Sequence, residues 1–371
     1  MNKKFWATTF TLSGTIIGAG ILGLPYVFAK SGFLIGLFWL ITIGATMMFV
    51  NLCLGEITLR TKSRHQLSGY AEKYLGKWGK RTMFFTMIFG VYSALIAYLI
   101  GEGQSLSKLL PGNINPIILG IGFWLIMTLL IKEGLKGLKK IETWGVLAII
   151  TIVITIFIKF LPQIQTSNLL IWNHANISLP IGIVIFALMG FTSISELREE
   201  IRGQEKLLKK AIILGSTIPI ALYILFSAII IGVLGKNIDQ VATLSFGPTM
   251  TILGIFTMLT SYFVLSFSLH DAIKYDFKTN KKNNILLTSL IPLALYILIT
   301  KFNLLGFSSI LSIGGVISGG LTGILIIIIN KRAKKATQSK NPPEINMPIN
   351  WLLIILLSTI FLSGILLEFI H

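Results

Sequence analysis

The sequence is poor in cysteine, histidine and charge. Of 371 residues one is cysteine and four are histidine, and 12% are charged against 54% hydrophobic. The lone Cys53, inside an apolar run, excludes an intramolecular disulfide and a cysteine metal cluster, and reads as a small buried apolar side chain. His65, His174, His270 and His371 are scattered, without the spacing of a metal site. A Gly-x-Ser-x-Gly nucleophile turn is also missing. These absences leave a membrane-embedded enzyme with little support. A soluble domain carries about 25% charged residues, so a chain with a mean hydropathy of +0.82 cannot cover itself with water.

Long apolar runs are what the sequence does have. Eleven recur, at about 5–29, 33–59, 83–107, 115–131, 143–161, 179–197, 209–234, 246–270, 284–300, 306–330 and 350–369. At about 20 residues each, they can cross a hydrocarbon core about 30 Å thick. The linkers are short and leave no room for a separate soluble domain. The chain therefore reads as one all-α polytopic membrane domain over residues 1–371, with the lipid bilayer as its main partner. The first run follows "MNKK", but apolar sequence continues without a convincing cleavage site, so it reads as a span and not a leader.

The net charge of +18 raises the question of nucleic acid. Its distribution answers otherwise. With the N-terminus inside, 27 of the 32 Lys and Arg residues fall in cytoplasmic segments, and only Lys30, Lys108, Lys159, Lys236 and Lys301 fall elsewhere. The positive-inside rule then predicts an N-terminus inside and a C-terminus outside. The basic charge is an orientation signal, and no nucleic-acid partner is expected.

The first span contains "TIIGAGILGLP", whose Gly18-x-Gly20-x-x-Gly23 matches a dinucleotide-binding fingerprint. That loop needs a strand before it and an acidic residue about 20 positions on. Neither is present: no Asp or Glu occurs between Gly23 and Glu56, and Pro25 interrupts any helix starting at Gly20. Two readings remain. Gly14 and Gly18 either form a small-residue packing face, or Gly18, Gly20 and Pro25 mark a helix that unwinds at mid-membrane. An unwound stretch must line a polar site within the protein, because its backbone groups cannot stay bare in lipid. The sixth span repeats the pattern, with Gly190-Phe-Thr192-Ser193 at its centre. Spans one and six open two five-span halves, at about 5–161 and 179–330, of opposite orientation. Paired interrupted helices in inverted repeats point to a transporter's binding site. The run at 350–369 is an extra helix.

The stretches "GTIIGAGILGLPYVFAKSGF" (Gly14–Phe33) and "FALMGFTSISELREEI" (Phe186–Ile201) resemble the first and sixth helices of the amino acid/auxin permease family. They are also similar to bacterial aromatic amino acid permeases. "GEITLRT…GYAEKYLGKWGKR" (Gly55–Arg81) resembles the basic loop after the second helix of these proteins. Both families belong to the amino acid–polyamine–organocation superfamily. The resemblance implies the leucine-transporter-type 5+5 inverted-repeat fold and cation-coupled uptake of amino acids.

An amino acid zwitterion at mid-membrane needs partners for both charges. The second half of the broken helix begins near Gly20, and its N–H groups and positive dipole end suit a carboxylate. Carbonyls at Ile16, Ile17, Phe186 and Ala187 are expected to accept from the ammonium. Gly18, Gly20 and Gly190 would let the ligand approach the backbone. Ala19, Met189 and Phe191 either wall the side-chain pocket or simply pack. In the third span, Tyr98 and Glu102 share one helical face; the resemblance assigns the carboxylate to the Tyr98 hydroxyl. Glu102 is an ionisable residue inside a span, and either carries a proton or pairs structurally. Thr260 and Ser261 resemble the hydroxyl pair of a sodium site, whose carbonyl ligands map to Gly14, Ile17 and Thr257. Alternatively, the two hydroxyls bond their own helix. Thr15 stands where the family's first sodium site has asparagine, which does not fit a second sodium ion. At the inner mouth Lys3 and Lys4 either pair with Asp271 or Asp276 or remain surface charges.

The expected function is import of neutral or aromatic amino acids by a secondary transporter coupled to sodium or protons. A bound sodium ion is the one candidate cofactor. A non-transporting amino acid sensor of the same fold is the alternative. The lack of a soluble domain to relay a signal favours transport.

Overall fold

A computed structural model describes residues 3–61, 63, 65–133, 138–277, 281–336 and 343–350, together with 355, 359, 361 and 364. Among these residues the chain is helical, with no strand. In an apolar medium a helix satisfies its own backbone, so each apolar run takes that form. The first span is two helices, α1 (Lys3–Ile16) and α2 (Gly20–Ser31), bent 55° apart at residues 17–19. Next come α3 (Phe33–Arg60), α4 (Leu67–Leu109), α5 (Pro116–Glu133), α6 (Leu138–Phe160) and the short α7 (Thr166–Leu169). The sixth span is again two pieces, α8 (Pro180–Ala187) and α9 (Ile194–Glu200), parted by residues 188–193. Then follow α10 (Leu208–Leu234), α11 (Pro248–Phe277), α12 (Lys281–Ile285) and α13 (Ile291–Lys301), the last two joined by a π-helical turn. A second π-helical turn, Gly315–Gly320, joins α14 (Phe307–Gly314) to α15 (Leu321–Ala336).

Six of the described helices are long and apolar enough to cross a membrane, and the bent α1–α2 pair makes a seventh. Apolar stretches at Pro116–Leu130 and Ile149–Gln163 are shorter. The expected spans fall on these helices, except that the run at 350–369 lies almost wholly outside the described residues.

The two broken spans lie side by side at the centre. Half-helix α2 packs against α8, α10 and α14, while α1 packs against α10, α6 and α9. Around them, α3 covers α8 and α10, and α4 runs against α11 and α14. Small residues permit this closeness: a Cβ on Gly20 would lie 2.4 Å from both Cα and Cβ of Ala187. Without water to drive helices together, such backbone contact supplies much of the attraction.

At one end of the bundle, a fully buried carboxylate organises the packing. Glu56 of α3 pairs with Arg60 at 2.7 Å and with Lys334 of α15 at 3.3 Å. Its Oε2 accepts from Asn330 Nδ2 at 3.1 Å and from the Met347 N–H at 2.9 Å. Lys334 also donates to the Met347 carbonyl, and Ile345 is buried beside Gly55. The segment 343–350 is thus strapped under α3 by one charge. Glu56→Ala would remove the carboxylate that two cations, the Asn330 amide and the Met347 N–H share, leaving that N–H without its acceptor, a loss of about 3–5 kcal/mol. Thermal unfolding of the purified protein should show a large drop in midpoint for Glu56→Ala and a smaller one for Glu56→Gln. An unchanged midpoint would mean that the carboxylate does not organise this end.

Candidate functional site

Tyr223 of α10 stands between the two breaks. Its hydroxyl lies 2.7 Å from the Ile16 carbonyl and 2.9 Å from the Ala187 carbonyl, and its side chain is fully buried. These carbonyls end α1 and α8, where the helices leave them without a partner of their own. One hydroxyl, its single proton shared between them, therefore bridges an end carbonyl of each broken helix. Tyr223 is absent from the residues expected on sequence grounds. Its signal is a tyrosine in the run "IALYILFSA", since a buried phenol needs a hydrogen-bond partner.

At the same break, Tyr98 accepts a long hydrogen bond (3.4 Å) from the Ala19 N–H. Ser261 of α11 meets the same place: a Cβ on Gly18 would lie 3.4 Å from the Tyr98 hydroxyl and 3.8 Å from Ser261 Oγ. Gly18 and Ser261 are partly accessible, whereas Ile17, Ala19 and Gly20 are buried. Thr192, in the sixth-span break, is exposed. The structure therefore brings Gly18, Ala19, Tyr98 and Ser261 together at the N-terminal end of α2, with Gly18 and Ser261 partly accessible.

The remaining expected residues divide. Ile16, Ala187 and Phe186 carbonyls were expected to await an ammonium. Instead the first two accept from Tyr223, and the Phe186 carbonyl accepts from the Met189 N–H at 3.2 Å. Among the four carbonyls named, Ile17 remains the one at the break itself. Gly20 was expected to admit a ligand, but the face where its Cβ would stand is closed by the Ala187 backbone. Gly190 faces the side chains of Leu12 and Ile16. Met189 sulfur packs where a Cβ on Gly319 would stand, 3.0 Å away, so it turns towards the α14–α15 junction. Phe186 and Phe191 are buried in the apolar wall beside the breaks.

The expected sodium ligands also separate. Thr260 turns its hydroxyl back onto its own helix, 3.0 Å from the carbonyls of Phe256 and Thr257. The Thr257 carbonyl, expected as a ligand, is that acceptor. Adjacent helical residues point about 100° apart, so Ser261 faces the break while its neighbour does not. Gly14 lies in the last turn of α1, just before Ile17. Thr15 bonds the Thr11 carbonyl at 2.9 Å. Lys4 donates to the Arg202 carbonyl, and the side chains of Asp271 and Asp276 lie outside the described residues. Glu102 is fully buried, one turn along α4 from Tyr98, and neither carboxylate oxygen has a hydrogen-bond partner among the described residues.

A profile described as the tryptophan/tyrosine permease family matches residues 1–366. The chain belongs to that family. The permease is 29% identical over 239 residues to tyrosine-specific transport system 1 of Haemophilus influenzae, which covers 64% of this chain and 60% of that protein. It is 26% identical over 318 residues to glutamine transporter 2 of Aliivibrio fischeri, covering 79% and 81%. Low affinity tryptophan permease of Escherichia coli is 25% identical over 338 residues, covering 80% of each chain. The permease thus spans less than two thirds of the Haemophilus protein's length and about four fifths of the other two. Its fold matches the crystal structure of MhsT in complex with L-phenylalanine, with a TM-score of 0.70 and 15% identity over 98% of this chain and 97% of that one. The leucine-transporter-type fold expected from the resemblance is therefore the observed one.

Gly18 and Gly20 of the permease should respond differently to substitution. A Cβ at Gly18 meets Tyr98 and Ser261 only at ordinary contact distance, so Gly18→Leu should fold, with the rest of its side chain filling the space between them, yet lose amino acid binding. Gly20→Leu drives atoms into the Ala187 backbone and should lower the yield of folded protein. Size-exclusion profiles with equilibrium binding on both variants check this, and normal binding by folded Gly18→Leu would place the ligand elsewhere.

Proposed function

We propose that this permease imports neutral amino acids, aromatic ones foremost, across the cell membrane by alternating access. The observation that carries the reading is the pair of neighbouring helix breaks, with Gly18, Tyr98 and Ser261 meeting at the first of them. A ligand carboxylate at the start of α2 would meet the dipole end of that helix and the Tyr98 hydroxyl, displacing the long Ala19–Tyr98 bond. The Tyr223 hydroxyl has one proton for two carbonyls, so acceptor capacity remains nearby for an ammonium. The buried rings of Phe186 and Phe191 suit an apolar side chain. Relatives named for tyrosine, tryptophan and glutamine support the substrate class. In this reading the halves 5–161 and 179–330 are inverted repeats, each opening on a broken helix.

For the coupling ion we favour the proton, carried by Glu102. A buried ionised carboxylate without a partner is costly, and Glu102 lies one helical turn from Tyr98, so proton binding there can be linked to ligand binding. Sodium is the second reading, favoured by the Ser261 hydroxyl at the break and weakened by the inward turn of Thr260. Uptake of radiolabelled L-tyrosine into liposomes separates the two. With the proton reading, uptake follows an imposed pH gradient without sodium, and Glu102→Gln still binds tyrosine but no longer concentrates it. Uptake that follows a sodium gradient at fixed pH and survives Glu102→Gln would overturn proton coupling. No uptake under either gradient, with binding intact, would favour a sensor.

A further inference from the structure

Helix α4 begins as an arm, Leu67–Leu75, and turns at Gly76 before entering the membrane. Gly76 has φ 76° and ψ −166°, a conformation that side-chain-bearing residues rarely adopt. The arm is held from both sides: Leu67, Tyr70 and Ala71 are buried, and Arg332 of α15 donates to the Tyr74 carbonyl at 3.2 Å. The elbow therefore has a fixed shape.

Just beyond the turn, Lys77 and Arg81 lie four residues apart and are both exposed. Between them Trp78 is 78% exposed, with the Arg81 guanidinium 5.7 Å from its ring centroid. Across the elbow, Lys73 lies over the Tyr74 ring at 5.8 Å. The local carboxylate, Glu72, is paired with Lys80 at 2.9 Å. Among the described residues no ion pair joins Lys73, Lys77 or Arg81 to a carboxylate. Two turns on from Trp78, on the same face, Phe85 is 61% exposed and stands 6.3 Å from the Phe89 ring. The opposite face, with Gly79, Met83 and Thr86, is buried. A cationic step thus continues directly into an exposed aromatic strip on the outer side of a membrane-spanning helix.

We propose that this elbow binds an anionic phospholipid, with the headgroup phosphate at Lys77 and Arg81 beside Trp78 and an acyl chain along Phe85. Charge complementarity selects the headgroup, and the aromatic strip selects a lipid over a free anion, because a soluble phosphate gains nothing from it. Tryptophan favours the headgroup level of a bilayer, where its ring has an apolar body and a polar edge. Juxtamembrane cations attract anionic lipid additively. The inference rests on the membrane placement of α4 and not on transport, so it is tested by lipid binding itself.

The probe is dioleoyl phosphatidylglycerol, with dioleoyl phosphatidylcholine and inorganic phosphate as comparison arms. Native mass spectrometry of the detergent-purified full chain should show roughly 25-fold more phosphatidylglycerol than phosphatidylcholine retained, about fivefold for each of the two cations. Lys77→Gln and Arg81→Gln should each lower that preference roughly fivefold, with the unfolding midpoint in phosphatidylcholine unchanged, because both side chains are exposed. Phosphatidylglycerol should raise the midpoint of the unsubstituted protein, and inorganic phosphate should not. Equal retention of the two lipids, or an undiminished preference in the double variant, would overturn the proposal. Stabilisation by phosphate alone, equal to that by the lipid, would overturn it too, leaving a free-anion site.

Discussion

One hydroxyl group holds the two halves of the site together. A helix that breaks inside a membrane frees carbonyls that no water can reach, and each must find a partner within the protein. Tyr223 stands within hydrogen-bond distance of the Ile16 and Ala187 carbonyls and shares its one proton between them. Because the two carbonyls belong to different spans, bridging them also fixes the distance between the breaks. The absence of a side chain on Gly20 then lets α2 press against Ala187. Gly18, Tyr98 and Ser261 meet at the same first break, with Gly18 and Ser261 partly accessible.

This division of labour separates the residues that were legible in the sequence from those that were not. The breaks themselves were legible, since closely spaced glycines in the middle of apolar runs weaken a helix where lipid would otherwise demand one. The fold was legible through the resemblance of Gly14–Phe33 and Phe186–Ile201 to the first and sixth helices of known permeases. Tyr223 was not, because its partners come from two other spans and nothing within α10 announces them. The Thr260–Ser261 pair was legible as chemistry but not as direction: which hydroxyl faces the break depends on how α11 is rotated, and tertiary packing sets that. Gly20 was expected to let a ligand approach the backbone; in the structure the place of its missing side chain is taken by Ala187 of α8, a contact that only the packing of two spans reveals.

Polar groups inside this bundle fall into two kinds. Glu56 is surrounded by Arg60, Lys334, Asn330 and a backbone N–H, and its role is to hold α3, α15 and the 343–350 segment in one arrangement. Glu102 is equally buried and has no hydrogen-bond partner among the described residues. In the proton-coupled reading proposed above, Glu56, with every lone pair engaged, holds its place, whereas Glu102 would be free to take up and release a proton.

Everything proposed for transport depends on the amino acid sitting between the two broken helices. The decisive measurement is an experimental structure of the purified permease with L-tyrosine bound. The ligand carboxylate should lie at the start of α2 beside Tyr98, the ammonium near the Ile17 carbonyl, and the ring against Phe186 and Phe191. Tyrosine bound away from both breaks, with the Ala19–Tyr98 contact undisturbed, would contradict this placement.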